Sequence, residues 1–341
     1  MKIRSITYFC NPGWPLVQAK LREAGQFLAE ARSAFEAEGF EVQTTRLATV
    51  PFPRLLGKTR LGETPRLAQE MGRLLEEAGI DYAALGPALP DLPVSYAVIP
   101  ESIAAAGNIF FSGIMAEPRH GISLPAVNAC AEIIRRNATT LPTGFANLQF
   151  TALANVPAGS PFFPAAYHEG EEPHFSLAME AADAGVQGFK LGRSISEGQR
   201  ILVDLLEENA HTLVRVADLL KFKYQIRFGG IDLSLAPFPE RSRSGGAAVE
   251  AMGVPRVGLH GSLAAAAILT GAIDQANFPH TGFCGSFQPV LEDAILAERA
   301  AEGTLTIKDL LLYSAVCGTG LDTVPLAGNV SRGQLSALLL G

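Results

Sequence analysis

Polar side chains capable of chemistry gather at four places where an apolar segment stops at glycine or proline. The first is the stretch FFPAAYHEGEEPH over residues 162–174, in which His168 is followed by Glu169. An imidazole and a carboxylate within reach of each other suit general acid–base catalysis or a divalent metal ion. The stretch lacks the helical HExxH spacing of known zinc sites. His168 is therefore a candidate catalytic residue, and His168 and Glu169 are candidate metal ligands; a solvated acidic loop is the alternative.

The second place is GGIDLSLAPFP, residues 229–239, where Asp232 interrupts an apolar strand and Ser234 lies on the same face two residues later. A carboxylate in such a strand is costly unless it is paired or used. We predict that Asp232 is catalytic and a third metal ligand, and that Ser234 contacts the substrate. The alternative is an aspartate that caps a turn or pairs with Arg241 or Arg243.

The third place is VGLHGS, residues 257–262, where a predicted strand ends at His260 and an alanine-rich helix begins. The free backbone N–H groups of a helix start attract anions. We predict a catalytic role for His260 and an anion-binding role for Gly261 and Ser262. The alternative is a structural histidine with all its hydrogen bonds made.

The fourth place is a pair of cysteines flanked by glycines, Cys284 in HTGFCGSF and Cys317 in SAVCGTGLD. Neighbouring glycines let a ligand approach the sulfur. We predict that Cys317 and the nearby Asp322 are catalytic, and that Cys284 and Gly285 bind substrate. The alternative is that both cysteines are small buried apolar side chains. No CxxC pair occurs, so the four cysteines are expected to be thiols.

The elements that must position these residues alternate between strand and helix. Residues 2–9 are β-branched and aromatic, and apolar residues then recur at helical spacing over 15–38. The pattern predicts about ten strands in an α/β fold. Strands or extended segments are predicted at 2–9, 41–47, 81–85, 96–99, 108–113, 148–154, 188–191, 225–233, 256–259 and 281–287. Helices are predicted at 15–38, 65–77, 124–136, 175–184, 197–221, 263–273, 291–302 and 307–313.

Composition excludes several classes of protein. With 341 residues, 48% of them hydrophobic and 18% charged, the chain can bury a large core and is not disordered. The net charge of −7 and the scattered basic residues argue against a nucleic-acid partner. No apolar stretch has the length of a membrane span, and the first residues alternate like a strand instead of forming a signal peptide. We therefore expect a cytoplasmic protein with no membrane partner.

Several long segments in the second half of the chain, in the same order, resemble the domain of unknown function family number 711. They are GGIDLSLAPFP, SGGAAVEAMG, VGLHGSLAAAAIL, GFCGSFQPVLED and LLLYSAVCGTGLDTVP. The resemblance implies a ten-stranded α/β barrel, similar to those of pyruvate formate-lyase and ribonucleotide reductase, with a loop inside. It also implies a single domain over residues 1–341 that lacks a carboxy-terminal part present in relatives. The catalytic candidates would converge at the barrel mouth: His168, Asp232, His260, Cys317 and Asp322.

These observations predict an enzyme that acts on a small polar or anionic metabolite, with a divalent metal as the cofactor that the histidine and carboxylates would hold. A non-catalytic metabolite-binding or regulatory protein on the same barrel is the alternative. A thiyl-radical enzyme is disfavoured, because the sequence has neither a glycyl-radical motif nor an iron–sulfur cysteine cluster. The low charge and the apolar chain end favour a homo-oligomer.

Overall fold

Strand β1 (Lys2–Cys10) lies within a mixed sheet and sends alternate side chains to opposite faces. Ile6 and Tyr8 join a large core shared with the helices, whereas Phe9 joins a small cluster on the other face. The computed structural model describes all residues, 1–341. The other strands are β2 (Val42–Thr49), β3 (Tyr82–Ala88), β4 (Ile109–Glu117), β5 (Gly121–Ile122), β6 (Phe150–Ala154), β7 (His174–Glu180) and β8 (Arg227–Asp232).

The sheet has eight strands in the order β5-β4-β3-β2-β1-β7-β8, with β6 paired to β4. Strands β1 to β4 run parallel and β6 continues that direction, whereas β7 is antiparallel to β1 and β8 is parallel to β7. The carboxyl ends of β1 to β4 and the amino ends of β7 and β8 therefore share one edge of the sheet.

Helices cover one face of the sheet because each has an apolar stripe that must be buried. Helix α1 packs on β1, β2 and α3, while α8 packs on α1, α7, α10 and β8. Their bounds are α1 (Gln18–Ala37), α2 (Phe52–Leu56), α3 (Thr64–Ala78), α4 (Val94–Ala97), α5 (Ile99–Ala105), α6 (Leu124–Asn137), α7 (Ala182–Leu191), α8 (Ile195–Tyr224), α9 (Gly245–Ala251), α10 (Ser262–Gln275), α11 (Ala294–Glu302), α12 (Ile307–Ser314) and α13 (Arg332–Leu340). None of these helices is long and apolar enough to cross a membrane.

The opposite face, which we call the inner face, is covered by residues 155–168, the inner segment. Residues 162–166 contribute to three small apolar clusters, which also include side chains of β1, β2, β3, β4, β6 and β7. The inner segment is therefore in contact with six of the eight strands.

Four predicted elements are wrong. The sequence predicts a helix at 175–184 and an extended segment at 188–191, but strand β7 comes first and helix α7 follows. Leu177, Met179 and Glu180 favour helix intrinsically, yet pairing with β1 and β8 makes this segment a strand. The strand predicted at 96–99 is helical, with prolines at the starts of α4 and α5. Residues 256–259 form a turn.

The ten-stranded barrel is also not what the structure contains. Strands 96–99, 188–191 and 256–259 do not form, and no strand forms at 281–287, where the nearest pairing is an isolated bridge between Ile231 and His280. No strand pairing joins β8 to β5 or β6, so hydrogen bonds do not close the sheet. The observed architecture is an eight-stranded mixed α/β sheet.

Candidate functional site

Polar residues on the inner face fall into two neighbouring rows that run across the strands. In the first row, Phe9 of β1 is opposite His174 of β7. In the second row, Thr7 of β1 lies between Arg46 of β2 and Ser176 of β7. Side chains two residues apart on a strand share a face, so both rows point at the inner segment.

His168 and His174 form a buried pair, which we call the histidine pair. Their ring centroids are 5.2 Å apart, and His174 also stacks on Phe9 at 4.4 Å. The backbone N–H of His168 donates to the Thr49 carbonyl at 2.9 Å, which holds the end of the inner segment against β2. His168 is 1% exposed and His174 is 4% exposed.

Four polar atoms of the histidine pair and the adjacent Ser176 are buried and have no hydrogen bond of normal geometry. They are both ring nitrogens of His168, Nδ1 of His174 and Oγ of Ser176, and the Gly170 backbone lies close to the His168 ring. Two residues that contact this site, Gly159 and Gly229, are glycines and leave room for these atoms. A Cβ at Gly229 would collide with Ser176 Oγ, and one at Gly159 would lie 3.4 Å from His174 Nε2. The chain thus encloses hydrogen-bonding groups that it does not satisfy itself.

Burial keeps both imidazoles neutral. It lowers the pKa of His174 to about 3, with the positive charge of Arg227 contributing in the same direction. The same two causes, burial first, lower the pKa of His168. A neutral imidazole has one N–H donor and one acceptor nitrogen, so the pair can both donate hydrogen bonds to a bound molecule and accept them from it.

Arg46 is buried in the second row, where it lies over the ring of Phe163 at 4.9 Å and near the ring of Tyr82 at 6.0 Å. Its Nε donates to Thr44 Oγ1 at 2.9 Å. Burial, reinforced by the charge of Arg4, lowers the pKa of Arg46 to about 9. The guanidinium is therefore a cation held in an apolar setting.

An ion network lies beside Arg46. Arg4 contacts Glu292 at 2.7 Å and Glu180 at 3.4 Å, and Arg243 contacts Glu180 at 2.6 Å. Asp322 lies near the same charges, and burial together with Glu292 raises its pKa to about 7. Asp322 is thus placed with Arg4 and Glu292, away from the histidine pair.

Asp232 is fully buried, and both oxygens of its carboxylate accept hydrogen bonds from within the protein. Its carboxylate accepts hydrogen bonds from Ser234 Oγ at 2.5 Å and from the backbone N–H groups of Phe283 and Cys284 at 2.6 and 2.9 Å. Ser234 Oγ in turn accepts from the Gly285 N–H at 3.0 Å. Burial raises the pKa of Asp232 to about 6. The structure therefore brings these four predicted residues together, in a network that anchors the loop over residues 281–287.

The remaining predicted residues lie elsewhere. His260 is exposed, and Gly261 precedes α10 with φ +100°. Ser262 Oγ accepts from the Gly258 N–H and donates to the Leu259 carbonyl, so it closes the turn. Cys317 is buried, and its carbonyl accepts from the Ser286 N–H at 2.8 Å, which joins the two cysteine loops. The predicted convergence of His260 with the other catalytic candidates does not occur.

The predicted metal site is not formed. Glu169 is exposed and lies 3.7 Å from Arg54, while the carboxylate of Asp232 is occupied by the loop. Asp232 is opposite Ala178, four residues after His174 on β7. At the usual rise of a strand, Asp232 is therefore about 13 Å from His174 along the strand direction. No group of three or more histidine, cysteine, aspartate or glutamate side chains is placed to hold a metal ion.

Two residues of the site escaped the sequence analysis. His174 lies in the same stretch as His168, but it is the first residue of β7, a strand that the sequence pattern does not predict. Arg46 lies in a correctly predicted strand, VQTTRLAT, but the polar residues next to it in the chain gave no signal that this arginine would be buried.

The chain is similar along most of its length to proteins from bacteria and archaea. A protein of Actinobacillus succinogenes with the name UPF0210 protein is 27% identical over 338 residues, which cover 95% of this chain and 75% of that protein. UPF0210 proteins of Methanosarcina acetivorans and Pyrobaculum aerophilum are 28% and 31% identical over 318 residues, 88% of this chain and 68% and 69% of theirs. The family model described as "Uncharacterised ACR (DUF711)" matches residues 1–341, which confirms the resemblance: this chain belongs to that family.

Proposed function

We propose that this protein is an enzyme that binds a small polar metabolite on the inner face and moves a proton on it with the histidine pair. One observation carries the proposal: four buried polar atoms of this pair and the adjacent Ser176 have no hydrogen bond of normal geometry in the chain. Leaving a buried donor or acceptor unpaired costs about 1–3 kcal/mol each. Such a cost in one place is expected where a ligand supplies the missing partners.

The two histidines suit different parts of acid–base chemistry. His174 stays neutral over the physiological range and can donate a hydrogen bond to a substrate oxygen. His168 has two unpartnered ring nitrogens and can accept a proton from the substrate and return it to another atom of the same molecule. The proton count then balances without an oxidant or a second substrate.

A non-catalytic metabolite-binding protein is the second candidate. The low pKa of His174 favours it, because so weak a base transfers protons poorly. The inner segment also fills much of the inner face, as expected of a site that holds a ligand without turning it over. Both candidates predict the same binding place and differ in whether the ligand changes.

The proposal is tested by screening organic acids and amino acids for thermal stabilisation and then incubating each stabilising compound with the protein in D₂O. We expect solvent deuterium to enter the compound, as detected by mass spectrometry. His168→Gln should still bind but exchange about 100-fold more slowly, whereas His211→Gln, which changes an exposed histidine on α8, should behave as wild type. Stabilisation with no exchange and no product in wild type would favour the non-catalytic candidate.

The finer fold is also a proposal. We infer that the sheet curls into the wall of a barrel similar to that of pyruvate formate-lyase. The inner segment supports this interpretation, because it covers one face of the sheet, as an inner loop would.

A further inference from the structure

Arg46 is a buried cation without a carboxylate partner. It is 9% exposed, and its one hydrogen bond within the chain comes from Nε. The neighbouring Arg4 is paired with both Glu180 and Glu292, and Arg243 is paired with Glu180. Arg46 forms no ion pair. Its two terminal nitrogens, with up to four donor hydrogens, make no hydrogen bond within the chain and are not among the fully enclosed polar atoms, so a bound molecule can reach them.

An unpaired buried guanidinium is costly, and the nearby charge of Arg4 adds to the cost. The rings of Phe163 and Tyr82 offset part of it, since a cation over an aromatic ring gains roughly 0.5–2 kcal/mol. A planar anion that accepts two parallel hydrogen bonds fits this arrangement.

The position of Arg46 connects it to the histidine pair. Arg46 is opposite Thr7, and His174 is opposite Phe9, two residues further along β1. Strands β2 and β7 lie on either side of β1, so Arg46 and His174 are two strand spacings apart across the sheet and two residues apart along it. Their Cα atoms are therefore about 12 Å apart. Both side chains point to the inner face, so a molecule of a few carbon atoms can contact both.

We propose that Arg46 binds the carboxylate of the substrate, which makes the substrate class a small carboxylic acid whose other end reaches the histidine pair. This inference rests on the proposed function for the identity of the molecule as a substrate. A monoanion fits better than a doubly charged phosphate, because Glu180, Glu292 and Asp322 surround the adjacent Arg4 with negative charge.

The test measures dissociation constants by calorimetry for small carboxylates that stabilise the protein, for the corresponding neutral amides and for inorganic phosphate. We expect the carboxylates to bind wild type at least 10-fold more tightly than the amides or phosphate. Arg46→Gln should lose at least 10-fold in carboxylate affinity, and Arg46→Lys should lie between, because it keeps the charge but not the paired hydrogen bonds. Arg54→Gln, a change at an exposed arginine, should bind as wild type.

The melting temperature of Arg46→Gln without ligand provides an independent measurement. Removing an unpaired buried charge should raise the melting temperature of Arg46→Gln by a few degrees, whereas loss of a purely structural arginine would lower it. Equal affinity for carboxylates in wild type and Arg46→Gln, or preference for phosphate or amides, would overturn the inference.

Two outcomes separate this inference from the proposed function. If carboxylate binding depends on Arg46 but no deuterium enters the ligand, the anion site stands and the enzyme proposal fails. If His168-dependent exchange occurs on ligands that bind Arg46→Gln as tightly as wild type, the enzyme proposal stands and the anion site fails.

Discussion

Two buried groups on the inner face, the Asp232 carboxylate and the His168 imidazole, interrupt apolar surroundings in a similar way but differ in their partners. Asp232 accepts three hydrogen bonds from Ser234, Phe283 and Cys284, and it holds Cys284 in a left-handed conformation with φ +45°. Neither ring nitrogen of His168 makes a hydrogen bond of normal geometry, although the Gly170 backbone lies close. Burial alone therefore does not mark a candidate site; several unsatisfied hydrogen-bonding groups in one place do.

Asp232→Ala should destabilise the protein strongly. The truncation leaves two backbone N–H groups and one hydroxyl without their acceptor, and the free energy of unfolding should fall by about 3 kcal/mol or more. Urea unfolding measures the change. Asp309→Ala removes an exposed capping carboxylate at the start of α12 and should cost only about 1 kcal/mol. Equal costs, with loss of ligand exchange only in Asp232→Ala, would instead support the catalytic role predicted from the sequence.

At the scale of elements, the turn before α10 is built for packing. Gly258 has φ +98°, and its backbone lies against the carbonyl of Thr304 between α11 and α12. Ser262 closes the turn through its hydroxyl. His260 is carried outward by this geometry and remains exposed. The backbone conformation and close packing of this turn thus explain the glycines of VGLHGS without a bound ligand.

Two glycines with nearly the same backbone conformation allow a matched test of this turn. Gly253 has φ +96° and open space around it, whereas a Cβ at Gly258 would collide with the Thr304 carbonyl oxygen. Gly253→Ala should cost about 1–2 kcal/mol of unfolding free energy, the cost of the left-handed conformation alone. Gly258→Ala should cost at least 2 kcal/mol more, of the order of an overpacked core. Similar urea midpoints for both variants would show that the Thr304 contact is not maintained in solution.

For the whole molecule, the buried histidines make stability depend on pH. The pKa of His174 is lowered to about 3 in the folded protein and lies near its ordinary 6.5 in the unfolded chain. Between these values the unfolded chain binds more protons, so the contribution of His174 to stability is lost as pH falls from about 6.5 towards 3. Asp232, with a raised pKa of about 6, acts in the opposite direction: its contribution is present below its ordinary pKa and is lost as pH rises towards 6.

His174→Phe isolates the histidine contribution. Phenylalanine keeps the stacking on Phe9 and cannot take up a proton. Wild type should lose a few kcal/mol more than the variant between pH 7 and pH 4, while other groups titrate alike in both proteins and cancel in the difference. Urea unfolding at four pH values measures the two slopes. Parallel slopes would mean that His174 is not held neutral in the folded protein.

Local patterns in the sequence were enough for much of the architecture. The alternation of Ile6, Thr7, Tyr8 and Phe9 predicted a strand with two different faces, and the apolar repeat of α8 predicted a long helix. The same reasoning failed for β7, where helix-favouring residues pair with β1 and β8. Pairing between segments that are distant in the chain overrides local preference, and no local pattern records it.

By itself, the sequence determined the α/β class, the family and the chemical types available for a site. Only the tertiary structure decided which of them are free to act. Asp232 is satisfied by a loop about fifty residues later in the chain, Arg46 is not paired although other arginines nearby are, and His168 is held beside His174 through the Thr49 carbonyl of the distant strand β2. The physical reason is that hydrogen bonds and ion pairs of buried groups are made by residues far apart in sequence. A side chain without a partner can be recognised only after all its neighbours are in place.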